Sequence, residues 1–318
     1  MTETPVVSVL IVNWNTRELA LRCLDSLATA SNGSLGVEVI VVDNGSADGS
    51  AEALAARPGI ELIRNPVNTG FAAAVNQAYR RAQGEFVFLL NSDVEVEPGT
   101  VTTFVEFLRD HPDAGGVAPL YFDRDGSPQP FHFRLPTFAT TLVNGSTVMR
   151  RLLPGSKRLL SEYRMADVDF SHPTRVPQPS ASCLLLRRAV LRPDRVFDER
   201  YPIFFNDVQL ARELAQHPLW VTPEASVIHD AHSSTSRLGD AGLRHYLACV
   251  VRMLEDTEPA FKVWLYRCIV FVQHFPIWLL RREGALGPAQ LFKALAGDPG
   301  ALPERPSRRR SADNDVEA

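Results

Sequence analysis

Short apolar runs rich in β-branched residues alternate with stretches of helical periodicity over the first third of the chain. The predicted strands lie at residues 6–12, 37–42, 60–64 and 86–90; the third contains Glu61 and Arg64, and the other three are mostly apolar. Continuous runs of this kind are typical of strands buried on both faces of a parallel sheet. The stretches between them predict helices at residues 16–27, 51–56 and 72–82 and from residue 100 onward. This alternation predicts an α/β fold with a mainly parallel central sheet and helices on both faces.

Polar side chains follow directly after three of these predicted strands. They are Asn13 to Asn15, Asp43 and Asn44, and Asn91 to Asp93. In open α/β sheets, ligands bind outside the carboxyl ends of the strands. We therefore expect the three polar clusters to converge on one crevice.

The periodicity weakens after residue 119. Residues 122–136 are rich in proline and aromatic side chains and residues 150–175 lean basic, so we expect an irregular, substrate-facing region there. A strand at residues 180–187, a helix at residues 206–216 and an extended segment at residues 220–229 follow. We expect the last roughly 25 residues, rich in Pro, Arg, Asp and Glu, to be a mobile tail.

Residues 261–282 are the part of the chain that most resembles a membrane-binding or membrane-spanning segment. The longest charge-free run, residues 268–280, is 13 residues long and contains Pro276. A bilayer-spanning helix needs about 20 apolar residues, so this stretch does not predict a span. Two interpretations stay open: a buried or dimer-forming helix pair, or an interfacial helix at anionic headgroups. The second would use Trp264, Trp278, Arg267, Arg281 and Arg282.

Composition and charge narrow the function classes. The chain is 45% hydrophobic and 22% charged, which is ordinary for a globular protein. Its net charge of -4 disfavours nucleic acid as a partner. The four cysteines are far apart without a CxxC pair, and no basic segment precedes the first apolar run, so we expect reduced thiols and a cytoplasmic location.

Common catalytic motifs are missing, and this leaves isolated carboxylates in the expected crevice. GxGxxG, GxxxxGK[ST] and GxSxG are all absent, which disfavours a nicotinamide dehydrogenase, a P-loop ATPase and a serine hydrolase. Asp93 beside Asn91 can offer oxygen ligands to a hard divalent cation. The same Asn-Ser-Asp sequence is also common turn chemistry.

Seven segments in register carry a family resemblance. They are VSVLIVNWNT, VIVVDNGSADGS, NPVNTGFAAAVNQA, GEFVFLLNSDVEVEPG, SCLLLRR, FDERYPIFFNDVQL and VTPEASVIHDAHSS. Together, from Val7 to about Ser234, they resemble glycosyltransferase family 2, in particular its rhamnosyltransferase-like branch in cell-envelope polysaccharide assembly. The resemblance implies a Rossmann-like, A-type glycosyltransferase fold with a helical C-terminal extension. We expect a nucleotide-sugar-binding half at residues 1–120, an acceptor-binding half of the same domain at 121–250, an amphipathic helical extension at 251–294 and a disordered tail at 295–318.

The resemblance also implies a donor site. The implied donor-binding residues are Asn13, Asn15, Asp43, Asn68, Gly70, Asn91 and Asp93. Asp43 matches the acid that hydrogen-bonds the base or ribose of the donor nucleotide. Asn91 to Asp93 occupies the position of the family's DxD motif, with Asn91 in place of the first acid. Gly70 can instead serve only the turn, and Asn76, matched to the helix behind the nucleotide, can instead cap or pack.

The metal and the base are implied in the same way. Asp93 and His229 match the residues that hold Mg²⁺ or Mn²⁺, with His232 as a competing candidate. Asp207 matches the general base of an inverting reaction, although Asn206 replaces the preceding Glu. The other interpretation of Asp207 is an acid placed at the positive end of a helix.

These expectations favour one function, and two alternative functions stay open. The expected enzyme is a metal-assisted, inverting glycosyltransferase that moves a sugar from a nucleotide-diphosphate sugar, dTDP-rhamnose being the leading candidate. The acceptor would be a glycan or a polyprenyl-diphosphate-linked glycan, reached by peripheral contact with the inner face of the cell membrane. One rival is a non-catalytic sugar-nucleotide-binding protein, suggested by Asn91 and Asn206. The other is a nucleotidyltransferase, which usually carries a Gly-rich, basic loop that residues 13–16 do not offer.

Overall fold

A twisted sheet runs through the centre of the protein. The computed structural model describes residues 5–30, 35–230, 238–280 and 286–303. The strands are β1 (Val7–Asn13), β2 (Val37–Asn44), β3 (Ile60–Asn65), β4 (Phe86–Asn91), β5 (Val94–Val96), β6 (Gly116–Phe122), β7 (Pro128–Gln129), β8 (His132–Phe133), β9 (Thr174–Arg175), β10 (Gln178–Pro179), β11 (Cys183–Arg187) and β12 (Leu219–His229). The helices are α1 (Arg17–Ala30), α2 (Ser50–Ala55), α3 (Phe71–Tyr79), α4 (Thr100–Asp110), α5 (Phe138–Asn144), α6 (Thr147–Leu152), α7 (Ser156–Tyr163), α8 (Asn206–Glu213), α9 (Asp240–Thr257), α10 (Ala260–Leu279) and α11 (Pro288–Leu295).

The strand order of the main sheet is β3-β2-β1-β4-β11-β6-β12-β5. Strands β1 to β4 pair in parallel, as the repeated strand-helix pattern predicted. The inserted strand β11 runs antiparallel to both β4 and β6, while β12 returns parallel to β6. The predicted α/β fold with a mainly parallel sheet is confirmed.

Alternate residues of β1 face different helical layers. Val7, Val9 and Ile11 belong to one apolar core, together with side chains of α1, α2 and α4. Leu10 and Val12 belong to a second core, on the opposite face of the sheet, which includes side chains of α3 and α8. Both faces are therefore covered, which explains why the sequence of this strand is mostly apolar.

The expectation of an irregular region after residue 122 was wrong for residues 138–163, which form α5, α6 and α7. Hydroxyl caps explain two of these helices. Thr137 Oγ1 accepts a hydrogen bond from Thr140 N at 3.2 Å, and Ser146 Oγ accepts one from Met149 N at 2.9 Å. Each bond satisfies a backbone donor in the first turn of a helix, where no earlier carbonyl is available.

The C-terminal helices α9, α10 and α11 form a third apolar cluster that also includes Leu142 of α5 and Tyr201. Residues 260–279 form one continuous helix rather than a pair, and several of its large apolar side chains are exposed. The interpretation of this stretch as a buried helix pair was therefore wrong. Among the described residues, no helix is long and apolar enough to cross a membrane.

The expected domain boundaries stay predictions. Strand β6 spans the boundary placed at residue 120 and belongs to the same sheet as β1. Most of the expected tail, residues 304–318, lies outside the described part of the chain.

Candidate active site

A cleft of about 300 Å³ opens where β1, β4 and β12 end. The side chains from these strand ends that line it include Trp14, Asn91, Ser92, Asp93 and His229. Its other walls include Asn44, Asn68, Phe131, Ser182, Phe204, Phe205 and Asp207. The expected convergence of the polar clusters on one crevice is confirmed.

Beneath the cleft, Asn13, Asn15 and Asp43 form a buried network around Ser46. Asn13 Nδ2 donates to Asp43 Oδ1 at 3.0 Å and to Ser46 Oγ at 3.1 Å. The backbone N–H of Asn15 donates to Ser46 Oγ at 2.9 Å, and that of Ser46 donates to Asp43 Oδ2 at 3.2 Å. These three predicted donor-binding residues are at most 2% exposed, so the structure places them under the floor of the cleft rather than on its surface. Donor contacts for them stay a prediction.

Asn44 organises the loop that carries Asn68 and Gly70. Its Nδ2 donates to Asn68 Oδ1 at 3.0 Å, and its Oδ1 accepts from Thr69 N at 3.1 Å. Gly70 has a φ of +92°, and a Cβ there would lie 3.1 Å from the Pro202 carbonyl oxygen. Backbone conformation and close packing therefore explain this glycine, while Asn68 reaches the cleft wall.

Asp93 and His229 approach each other in the cleft. Nε2 of His229 lies 3.7 Å from Asp93 Oδ1, and both side chains are less than 10% exposed. The other ring nitrogen, Nδ1, lies 3.2 Å from Gln129 Oε1, and Gln129 Nε2 donates to the His229 carbonyl at 2.9 Å. If Nδ1–H donates to the amide oxygen, the Nε2 lone pair faces Asp93, which is the arrangement of a metal-ligating histidine with an oriented outer partner.

The residues around this pair fit a divalent cation. The side-chain oxygen of Asn91, on the same strand end, is buried and has no hydrogen-bond partner among the described residues. An amide oxygen, a carboxylate and an imidazole are a plausible donor set for Mn²⁺ or Mg²⁺ when substrate phosphates and water complete the shell. Within the described part of the chain, no group of three or more His, Cys, Asp or Glu side chains surrounds a common point. The competing candidate His232 lies outside the described residues.

An ion-pair network ties together the chain segments next to this pair. Arg22 and Arg124 each bond both Glu95 and Asp230, over distances from 2.6 to 3.0 Å. Glu95 follows Asp93 by two residues and Asp230 follows His229 directly, so the network fixes the two strands that carry the pair. Exposed ion pairs contribute little to global stability, and the role of this network is local.

Asp207 lies in the first turn of α8 and reaches the same cleft. Its Oδ2 accepts a hydrogen bond from Gln178 Nε2 at 3.1 Å, and its Oδ1 accepts from Val208 N at 2.8 Å. Loss of water raises the pKa of the Asp207 carboxyl, and these two hydrogen bonds oppose the rise. A carboxylate with a raised pKa is a better proton acceptor than an exposed one.

The residue that precedes α8 is strained. Phe205 has a φ of +64°, a left-handed conformation that is uncommon for a bulky side chain. Its ring contacts Tyr246, with the two centroids 5.7 Å apart, and it lines the cleft. Such outliers persist where the surroundings hold them, often at functional sites.

Asn76 is a structural clamp rather than a cleft residue. Its Oδ1 accepts from the backbone N–H groups of Val196 and Phe197, at 2.9 and 3.0 Å. Its Nδ2 donates to the Phe197 carbonyl at 2.8 Å and to Glu199 Oε1 at 3.0 Å. The packing interpretation of Asn76 is therefore confirmed, and the clamp fixes the segment that leads to α8.

The other residues that the sequence singled out lie either on the wall of the cleft or in the core. Ser182 lines the cleft beside Ser180 and Ala181, whereas Cys183 is fully buried, as expected. All four cysteines are free. Trp14, Phe204 and Phe205 all line the cleft, where flat rings can cover a sugar.

Sequence reasoning missed Gln129 and Gln178, which orient His229 and Asp207. Gln129 is 100 residues from His229 in the chain, and Gln178 is 29 residues from Asp207. Neither glutamine lies in a recognisable motif. The burial of Gln178, at 3% exposed, becomes visible only in the folded chain.

Comparisons with known proteins agree with this geometry. The family model "Glycosyl transferase family 2" matches residues 8–192. An N-acetylglucosaminyl-diphospho-decaprenol L-rhamnosyltransferase of Mycobacterium tuberculosis is 31% identical over 251 residues, which cover 74% of this chain and 79% of that protein.

Two solved structures resemble the fold at low sequence identity. The mannosyltransferase PcManGT from Pyrobaculum calidifontis, in complex with GDP-Man and Mn²⁺, gives a TM-score of 0.51 at 19% identity, covering 95% of this chain and 78% of that one. S. aureus TarS 1-349 in complex with UDP gives a TM-score of 0.50 at 16% identity, covering 85% and 72%. The fold is the A-type glycosyltransferase fold, and on the family model and the mycobacterial relative together, the chain belongs to glycosyl transferase family 2.

Proposed function

We propose that this protein is an inverting glycosyltransferase that uses a nucleotide-diphosphate sugar. The observation that carries the proposal is that Asp207 and the Asp93–His229 pair line one cleft. The pair can receive the donor's diphosphate through a cation, while Asp207 can receive a proton from the acceptor. A donor and an acceptor can thus meet within a single site.

The donor end of the cleft would hold a divalent cation through Asp93 and His229, with Asn91 as an oxygen donor. When bound, Mg²⁺ or Mn²⁺ neutralises the charge that develops on the leaving nucleotide diphosphate. Trp14 and Asn68 line the same cleft. Asn13, Asn15, Asp43 and Gly70 would act from below, by fixing the strand ends and the loop that meet the nucleotide.

Asp207 would accept the proton of the acceptor hydroxyl as that oxygen attacks the anomeric carbon. The new bond forms between the acceptor oxygen and this carbon, and the bond from the carbon to the diphosphate oxygen breaks. Attack opposite the leaving group inverts the configuration at the carbon. Gln178 Nε2 and the Val208 N–H hold the carboxylate through Oδ2 and Oδ1, and the lone pairs that these two bonds do not use would receive the proton of the acceptor.

The leading donor is dTDP-rhamnose, and the leading acceptor is a polyprenyl-diphosphate-linked glycan of the cell envelope. The name of the mycobacterial relative, an N-acetylglucosaminyl-diphospho-decaprenol L-rhamnosyltransferase, supports rhamnose as the sugar and a polyprenyl-diphosphate-linked acceptor. Such an acceptor would place the enzyme at the inner face of the cell membrane. A soluble glycan acceptor would need no membrane contact.

A donor panel tests the proposal. The purified protein is mixed with dTDP-rhamnose, UDP-glucose, UDP-galactose or GDP-mannose, in Mn²⁺, Mg²⁺ or EDTA, and thermal stability and nucleotide release are followed. A bound donor raises the melting temperature by mass action. One donor should stabilise the protein and slowly release its nucleotide only with metal present.

The rival function is sugar-nucleotide binding without transfer, suggested by the amides Asn91 and Asn206. This rival predicts stabilisation by a donor with no nucleotide release, whether or not acceptor is added. Absence of stabilisation by every donor would count against both functions.

A further inference from the structure

Helix α10 carries apolar side chains on two opposite faces. Its inner face, with Val263, Tyr266 and Val270, is at most 4% exposed and packs in the C-terminal core. On the outer face, Phe261, Trp264, Val272 and Leu279 are 64–68% exposed. A helix that is apolar all round is normally buried on every side, so the outer face lacks the cover that its composition requires.

The outer face forms a continuous stripe. We call it the outer stripe; it comprises Phe261, Trp264, Leu265, Val272, Phe275 and Leu279. These positions follow one another at helical spacing and include no charged residue, so they align along one side of the helix. A helix of 20 residues is about 30 Å long. The stripe is therefore a continuous exposed apolar patch, unlike the isolated apolar residues that most protein surfaces carry.

Helix α6 adds a second exposed apolar segment with cations beside it. The exposed apolar side chains are Val148, Leu152 and Leu153, at 46%, 67% and 40%. Arg150 and Arg151 lie between them in sequence and are also exposed. Met149 of the same helix packs against the apolar cluster that contains the inner face of α10, so α6 and α10 belong to one structural unit.

The charge of this unit differs from that of the whole protein. Residues 144–166 contain five basic residues and one acidic residue, whereas the chain carries a net charge of -4. Lys262 and Arg267 of α10 are paired with Glu258 and Glu255, at 2.7 and 2.6 Å. The uncompensated positive charge therefore lies on α6 and α7, beside exposed apolar side chains.

We propose that the outer stripe and α6 form a docking surface for an anionic lipid bilayer. The exposed apolar side chains of the outer stripe, with Trp264 among them, match the acyl boundary of such a membrane, and the exposed Arg150 and Arg151 of α6 match its negative headgroups. A two-fold contact between copies of this chain that used α6 and α7 would bring the same basic segments toward each other, which opposes such a contact. The lipid surface complements both the apolar and the charged features, and it is the occupant that we favour over a second copy.

The surface is connected to the cleft. Phe204 and Phe205 line the cleft and contact Tyr246 of α9, with centroids 5.7 Å apart in each pair. Tyr246 packs against the same cluster as the inner face of α10. Resting on the proposed function, this packing joins the helices that carry the docking surface to the wall of the cleft in which the acceptor sugar would meet Asp207.

Vesicle binding tests the surface without any transfer reaction. Full-length protein is sedimented with vesicles of phosphatidylcholine alone or of phosphatidylcholine with roughly one-third phosphatidylglycerol. We expect binding to the anionic vesicles and a loss of at least about tenfold with Trp264→Glu plus Val272→Glu. The matched control, Ala28→Glu plus Ala55→Glu, adds the same charge at exposed positions of α1 and α2 and should bind as the parent does.

A second measurement needs no variant and so does not depend on how a variant folds. Trp264 and Trp278 are 65% and 37% exposed, so lipids brominated on the acyl chain should quench their fluorescence when the protein binds. Absence of quenching, or binding that both double variants retain equally, would overturn the proposal. A parent dimer that Trp264→Glu plus Val272→Glu converts to a monomer, with no vesicle binding, would instead assign the stripe to a second copy. Donor stabilisation measured in the same samples keeps a failure of this proposal separate from a failure of the proposed function.

Discussion

Nε2 of His229 lies 3.7 Å from Asp93 Oδ1, where His229 ends β12 and Asp93 lies in the turn between β4 and β5. The antiparallel pairing of β12 with β5 sets His229 opposite Val94, directly after Asp93. The Asp230 backbone N–H then donates to the Asp93 carbonyl at 2.9 Å. The main chain therefore brings together an acid and a histidine that are far apart in sequence.

Gln129 should matter for metal-dependent donor binding. Removing its amide with Gln129→Ala leaves Nδ1 of His229 without this partner and frees the ring to rotate. Loss of an outer partner of a metal-ligating histidine typically costs about 10- to 100-fold in metal affinity. Titration of Mn²⁺ at a fixed donor concentration should show a loss of this size. Gln83→Ala, at an exposed position, should leave the affinity unchanged, and an equal affinity in both variants would argue against the role of Gln129.

Gln178 should set the acid limb of the pH profile. Its hydrogen bond to Asp207 Oδ2 favours the charged carboxylate and so lowers the pKa of Asp207. In Gln178→Ala the pKa of Asp207 rises, less carboxylate is present at a given acidic pH, and the acid limb of kcat moves to higher pH. The rate below neutral pH should fall roughly three- to tenfold. Gln209→Ala, on the same helix as Asp207, should keep the parent profile; an unmoved acid limb in Gln178→Ala would contradict the assignment.

Asp207→Asn should stabilise the protein at neutral pH. Because burial raises the folded-state pKa of Asp207 above the ordinary value of 3.8, the folded state binds more protons than the unfolded state in the pH window between the two values. Stability therefore falls as pH rises through that window, and the full penalty is present above it. The neutral amide removes the penalty and should raise Tm by about 1 to 3 °C at pH 7.5. This gain should vanish below the unfolded-state pKa. Thermal melts from pH 3.5 to 8 check the sign, and a gain that grows on acidification would oppose it.

Asn76 should be a large contributor to stability. Its side chain is fully buried and makes four hydrogen bonds to the segment from Val196 to Glu199. Asn76→Ala leaves several buried backbone groups unpaired, so the free energy of unfolding should fall by about 2 to 4 kcal/mol. Denaturant unfolding measures the change, with Gln83→Ala as the exposed control. A loss below about 0.5 kcal/mol would show that the clamp is not needed.

The strands and the convergence of their polar ends could be predicted from the sequence because both depend on local pattern. Apart from Ser8, β1 is apolar until its last residue, Asn13, and that residue marks the edge where ligands bind. The direction of β11 could not be predicted in this way. A short apolar strand such as Cys183 to Arg187 has the same sequence pattern in either direction.

The helices after residue 137 were missed for a different reason. Their sequences are short, and α5 and α6 depend on the caps at Thr137 and Ser146 and on packing against the C-terminal cluster. In the site, the family resemblance predicted Asp93, Asp207 and His229, which all line the cleft, and their chemical roles stay predictions. The glutamines that orient them are distant in the chain, and only the fold brings them into contact.

Comparing Asp207→Asn with the parent enzyme tests the central claim most directly. Donor affinity and the rate of sugar transfer to a polyprenyl-diphosphate-linked acceptor are measured for both, with Asp194→Asn as an exposed control. If Asp207 is the base, transfer should fall at least about 100-fold while donor affinity stays within roughly threefold and Asp194→Asn keeps the parent rate. Transfer by Asp207→Asn at the parent rate would contradict the account, because another group would then have to accept the proton.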